Sequence, residues 1–115
     1  MASLLELQDT FASLVARLIE VAHTMGYQIT LGEAWRPPET AKLYAQQGKG
    51  IRDSLHISRL AIDVNLFKDG QYLTQSEDYA ELGAFWKSLH PLARWGGDFS
   101  RPDGNHFSME NEGIQ

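Results

Sequence analysis

His56, Asp63, Asp103 and His106 are the residues on which a reaction could be built. Asp63 stands inside Ala61-Ile62-Asp63-Val64-Asn65-Leu66-Phe67, where Ile62, Val64 and Leu66 share one face and Asp63 and Asn65 the other. Mid-strand is a disfavoured place for aspartate. Asp63 is therefore either a solvent-facing residue of a half-exposed sheet or a residue kept for its chemistry. His56 lies seven positions earlier. On a helix that separation is about 10 Å, too far for one ion, and on an unbroken strand it puts the two on opposite faces. They can share a metal only if the chain turns between them, at Ser58-Arg59. His106 opens a second alternating run, His106-Phe107-Ser108-Met109, which as a strand sends His106 and Ser108 to one face. Two histidines and a carboxylate, with a water in the fourth position, are the usual catalytic zinc set. Zinc lowers the pKa of such a water towards ~7, and a nearby carboxylate can carry its proton to a leaving amine. Asp103 is the candidate for that base, although Pro102-Asp103-Gly104-Asn105 is equally a turn that favours aspartate for backbone reasons.

The elements that must position these groups are legible in outline. Leu4, Leu7, Phe11, Leu14, Leu18 and Ala22 recur at helical spacing, with Val15 and Ile19 beside them, and predict a helix over residues 3–25. Ser3 with Glu6 suggests a capping box, and Gly26 a stop. A strand is expected over 27–31, running on towards Trp35, and a short helix over 39–47 after Pro37-Pro38. Residues 49–59 read as loop and 61–67 as the strongest strand, with Gln71-Tyr72-Leu73 returning after the turn at 68–70. A second long helix is expected over 76–90, with Trp86 on its core stripe, and two short strands at Arg94-Trp95 and at 106–109. This mixture of helices and hairpin-like strands gives an α+β class: a small antiparallel sheet with flanking helices.

At 115 residues, 43% apolar and 22% charged, the chain is expected to be one domain over 1–115 with one core. It has no cysteine, which removes disulfides and thiolate metal sites. A net charge of −5 argues against a nucleic-acid binder. The first residues lack the basic and apolar regions of a signal peptide, and no stretch reaches the roughly 20 apolar residues of a membrane span. The expectation is a soluble protein made in the cytoplasm.

The segment Ser54-Leu55-His56-Ile57-Ser58-Arg59-Leu60-Ala61-Ile62-Asp63, with Asp103-x-x-His106 downstream, resembles the signatures of the D-Ala-D-Ala carboxypeptidase and hedgehog-like zinc peptidase superfamily. More closely, the chain is similar to the phage-type L-alanyl-D-glutamate endopeptidases, compact endolysins of that superfamily. Trp35-Arg36-Pro37-Pro38-Glu39-Thr40 resembles the family's arginine-bearing segment, and Trp95-Gly96-Gly97-Asp98-Phe99 its glycine-pair loop. The likeness spans about residues 25 to 109. It implies zinc (Zn2+) on His56, Asp63 and His106, Asp103 as general base, and Arg36 and Ser54 as substrate-binding residues. The implied partner is the stem peptide of bacterial peptidoglycan, attacked by a monomer released from the cytoplasm to the cell wall. Guanidinium suits the carboxylates of such peptides; the plainer alternative for Arg36 is a surface pair with Glu33 or Glu39. Arg59 departs from the pattern, because the family has glycine there and a positive φ would strain arginine.

Two other activities fit the same motifs: a carboxypeptidase removing terminal D-Ala, and a non-catalytic zinc-stabilised binding module. His23 and His90 suit helix ends and are read as structural. Trp35 and Trp95 could line a groove, and Asp98 could support a ligand histidine or be a plain loop acid.

Overall fold

The computed structural model describes residues 2–48 and 54–115. Helix α1 (Leu4–Thr24) begins on the Ser3–Glu6 capping box and ends before Gly26, whose φ of 92° reverses the chain. Strand β1 (Gln28–Leu31), helix α2 (Pro38–Gln46), strand β2 (Ala61–Lys68) and strand β3 (Gln71–Tyr72) follow. A 3-10 turn (Ser76–Tyr79) leads into helix α3 (Ala80–Ser88), then come strand β4 (Ala93–Trp95), a second 3-10 turn (Gly96–Asp98) and strand β5 (His106–Met109). Five antiparallel strands form one sheet in the order β1-β2-β5-β4, with β3 paired to the end of β2. The class is the expected α+β.

Alternation along β2 separates two chemistries. Ile62, Val64 and Leu66 turn one way with Phe107 and Met109 of β5 and are buried. They pack in one core with Phe11, Leu14, Leu18 and Ala22 of α1 and with Leu82 and Trp86 of α3. Trp86 lies edge-on between Phe11 and Phe107, at centroid distances of 5.7 and 6.0 Å, and its indole N–H donates to the Arg94 and Ser108 carbonyls. Burying such a side chain stabilises by roughly 1.5–3 kcal/mol, so the apolar face holds the sheet while the other face is free for polar work. That other face carries Asp63, Asn65, His106 and Ser108.

Several boundaries differ from expectation, each for a local reason. The strand expected to run on to Trp35 stops at Leu31. Two further bonds, Gly32 N–H to Asp63 O and Asp63 N–H to Glu33 O, follow before the chain leaves the sheet. There Gly32 passes so close that a Cβ would sit 2.9 Å from that of Asp63. The helix expected over 76–90 starts as a 3-10 turn and ends at Ser88, where Leu89 bonds Trp86 in 3-10 fashion ahead of Pro91. Leu4 is half exposed, because the core begins one turn further along α1. Of the expected loop 49–59, residues 49–53 lie outside the described residues, and 54–59 form a tight turn.

Candidate metal centre and groove

The turn joining His56 to Asp63 has a specific geometry. Leu60 N–H donates to Leu55 O at 2.9 Å and Arg59 N–H to His56 O at 3.3 Å, while Arg59 has φ 57°. This is a Schellman-type ending, in which the left-handed position is normally glycine, and its two flanking leucines, Leu55 and Leu60, are both in the core. Arg59 therefore does occupy a left-handed site, a conformation costing a non-glycine residue about 1–2 kcal/mol. Its guanidinium stacks over the Trp35 ring at 4.8 Å, which offsets part of that cost. The Ser54 hydroxyl accepts the His56 N–H at 3.2 Å and so caps the turn at its start.

Having turned, the chain enters β2, where Asp63 lies directly across from His106 of β5. Cross-strand residues on one face are natural neighbours. Asp63 Oδ1 lies 3.4 Å from His56 Nε2 and 3.6 Å from His106 Nδ1, and the three ligand atoms all fall within 4.8 Å of one another. Metal–ligand bonds near 2 Å place tetrahedral ligands about 3.3 Å apart, so this triangle can hold a divalent cation. Asp63 Oδ1 is buried without a hydrogen-bond partner, the state of an atom facing a cation site. Burial raises the Asp63 pKa, but the His106 and His56 rings close beside the carboxylate outweigh it and bring the value down to about 2. The carboxylate is ionised and ready to bind metal.

The loop carrying Asp103 is tied at four points. Asp103 N–H donates to Gly96 O at 2.9 Å, His106 N–H to Asp103 O at 3.0 Å, Gly104 N–H to Ser76 Oγ at 3.0 Å, and the Trp95 indole to Gly104 O at 2.7 Å. Gly96 admits this approach because a Cβ there would lie 2.0 Å from Asp103 O. Trp95 is thus buried scaffold beneath the loop rather than a wall of the groove, packed on Gly83 and Gly97. Desolvation by the surrounding walls is the largest influence on the Asp103 carboxyl and raises its pKa; His106, His56 and Arg36 pull the other way and Asp63 adds to the rise.

A groove of about 740 Å3 opens over these groups, and Arg36, Ser54, Phe99, Arg101 and Asp103 line it beside them. Arg36 N–H donates to His56 O at 3.2 Å, while its side chain pairs with Glu33 at 2.5 Å and stacks on Tyr44. Its partner is therefore Glu33, one of the two alternatives the sequence offered, and it still faces the groove. A smaller hollow of about 240 Å3 lies beyond Asp103, lined by Tyr72, Thr74, Ser76 and Asn105. Asp98 pairs with Lys87 at 2.7 Å instead of with a histidine. His23 is exposed on α1, and His90 accepts the Leu92 N–H.

Both histidines turn their outer nitrogens towards oxygen. His56 Nδ1 is 4.0 Å from Glu33 Oε1, and His106 Nε2 is 3.3 Å from the main-chain oxygen of Gln115. The sequence offers Glu33 only as an ion-pair partner for Arg36 and gives no sign of Gln115. Neither contact has a local signal, since Gln115 reaches His106 only because the chain folds back after β5.

A sheet-backed His-Asp-His triangle under an open groove is the arrangement of a metallopeptidase, and the family comparison agrees. Residues 47–109, more than half of the chain, match the peptidase M15 family model described as D-alanyl-D-alanine carboxypeptidase, and the chain belongs to that family. Among solved structures it is similar to the crystal structure of Serratia marcescens L-Ala D-Glu endopeptidase ChiX. The TM-score is 0.70 with 22% identity, over 86% of this chain and 79% of that one, a likeness of fold. A comparison with curated proteins finds no match.

Proposed function

We propose that this chain is a zinc-dependent peptidoglycan peptidase that cuts the L-Ala–D-Glu bond of stem peptides, as the phage-type endolysins do. The observation that carries the reading is the convergence of His56 Nε2, Asp63 Oδ1 and His106 Nδ1 beneath an open groove that Asp103 also lines. Cysteine-free N2O donor sets of this kind suit zinc with one position left open. Zinc held there supplies Lewis acidity and a water acidified towards neutral pH.

The remaining work falls to the chain's own side chains. Asp103 takes the proton of the attacking water on its carboxylate and returns it to the departing amine nitrogen. Arg36 and Arg101 offer guanidinium groups to the carboxylates of the stem peptide, and Ser54 lines the same groove. The hollow beyond Asp103 leaves room for peptide on the other side of the scissile bond. In this reading residues 1–115 are one catalytic domain acting as a monomer, made in the cytoplasm and passed to the wall through a separate membrane pore. None of the described helices is long and apolar enough to cross a membrane.

A second reading, removal of terminal D-Ala, is favoured by the family's description. Mass spectrometry of purified sacculi digested with the zinc-loaded protein, beside a chelated control, separates the two. Zinc-dependent fragments beginning at D-Glu support the endopeptidase. Free D-Ala instead would move the assignment to the carboxypeptidase, and an unchanged digest would leave a zinc-stabilised binding module.

A further inference from the structure

We propose that residues 110–115 form a positioning strap, in which the main-chain oxygen of Gln115 fixes the tautomer and orientation of His106. The Gln115 oxygen accepts a hydrogen bond from Ser108 Oγ at 2.6 Å and lies 3.3 Å from His106 Nε2. Such an oxygen, whether of a carbonyl or of an ionised carboxylate, accepts hydrogen bonds and has no proton to give. His106 Nε2 must therefore carry the hydrogen, which leaves the lone pair of the neutral ring on Nδ1. Nδ1 is the atom that faces Asp63 Oδ1 at 3.6 Å. The strap thus points the electron pair of His106 into the metal triangle before any ion arrives.

The strap is itself held. Asn111 and Ile114 exchange main-chain hydrogen bonds at 3.0 and 2.9 Å around Glu112 and Gly113, both with positive φ, as in a type I′ turn. Glu110 N–H donates to Leu92 O at 2.8 Å, and Ile114 packs against the core. Ser108 is fully buried two residues along the same face of β5 as His106, so one oxygen receives both side chains. Outer hydrogen bonds of this kind typically govern metal affinity by 10–100-fold when a histidine is a ligand. The affinity part of the inference rests on the zinc reading; the tautomer part does not.

The test compares the full chain, a chain ending at Ile114, and Ser108→Ala. In the shortened chain the new Ile114 carboxylate keeps one oxygen on Asn111 N–H and sets the other where the Gln115 nitrogen stood, one residue short of the oxygen that receives Ser108 and His106. Three quantities are measured: the His106 imidazole 15N shifts of the metal-free protein at pH 8, the zinc dissociation constant by chelator competition, and the metal-free melting temperature. The full chain should show the Nε2–H tautomer. The shortened chain should show mixed tautomers and zinc binding weaker by roughly 10–100-fold at little cost in metal-free melting temperature, with Ser108→Ala shifting the same way by less. An Nδ1–H tautomer in the full chain, or unchanged shifts and zinc affinity in the shortened one, would overturn the proposal. Failure of the full chain to bind zinc would sink the functional reading instead, with the 15N shifts still deciding the strap.

Discussion

Asp63 and Asp103 share a groove and are driven in opposite directions. Asp63 gains from its histidines more than burial takes away, so it contributes stability above its ordinary value of 3.8, lost as the pH falls towards about 2. Asp103 holds its proton more tightly in the fold than in the unfolded chain, chiefly through desolvation. Its ionisation therefore weakens the metal-free fold at neutral pH, a penalty that fades as the pH falls through its raised pKa towards 3.8. Asp103→Asn should raise the metal-free melting temperature at pH 7, with no gain near pH 3.5. The same variant should retain zinc and lose about 10²–10⁴-fold in peptidase rate; full activity would remove Asp103 as the base. At Arg59, strain and stacking oppose each other. A double-mutant cycle of Arg59→Gly and Trp35→Ala should give a coupling of about 0.5–1 kcal/mol by urea unfolding. Glycine should be nearly neutral alone and stabilising once the indole is gone.

The elements act by bringing residues distant in sequence to fixed separations. The Schellman-type turn returns His56 to the face of Asp63, the β2–β5 register sets Asp63 opposite His106, and the Gly96–Asp103 contact pins the Asp103 main chain. Of these, the last has least tolerance, because the atoms above Gly96 are the Asp103 carbonyl and the His106 Cβ, which cannot swing aside. Gly96→Ala should displace the 103–106 loop and lower both zinc affinity and activity by at least 10-fold. If chelator competition and peptidase assays both match the parent, the loop is not held as described. Gly70→Ala is a useful control, since its positive φ strains the chain but nothing lies within 4 Å of the new Cβ.

Across the whole molecule, the candidate ligands come from the turn before β2, from β2 itself and from β5. A cation bound to all three would bind the folded chain and not the unfolded one, so its binding energy becomes folding stability. Zinc at a hundred times its dissociation constant should stabilise by about 2.7 kcal/mol, a rise on the order of 10 °C in melting temperature. Calorimetry with and without chelator measures it. His106→Ala should abolish the rise, whereas Arg36→Ala should keep it and instead raise KM.

The periodicities of α1, β2 and β5 are set within the sequence, because a buried stripe needs its apolar residues at helix or strand spacing wherever the element finally packs. That is why the α+β class, the faces of β2 and the pairing of His106 with Ser108 on one side were legible. So were the candidate groups themselves, whose chemical types depend on no neighbour. The course of the chain between them was not: a seven-residue step from His56 to Asp63 reads as too long on a helix and wrong-faced on a strand. Only the left-handed Arg59, with Leu55 and Leu60 drawn into the core, makes it fit. The burial of Trp95, the Glu33–Arg36 pair and the return of Gln115 to His106 likewise belong to the tertiary structure. Each is a contact between segments whose separation is fixed by packing, and packing leaves no mark at the single positions it joins.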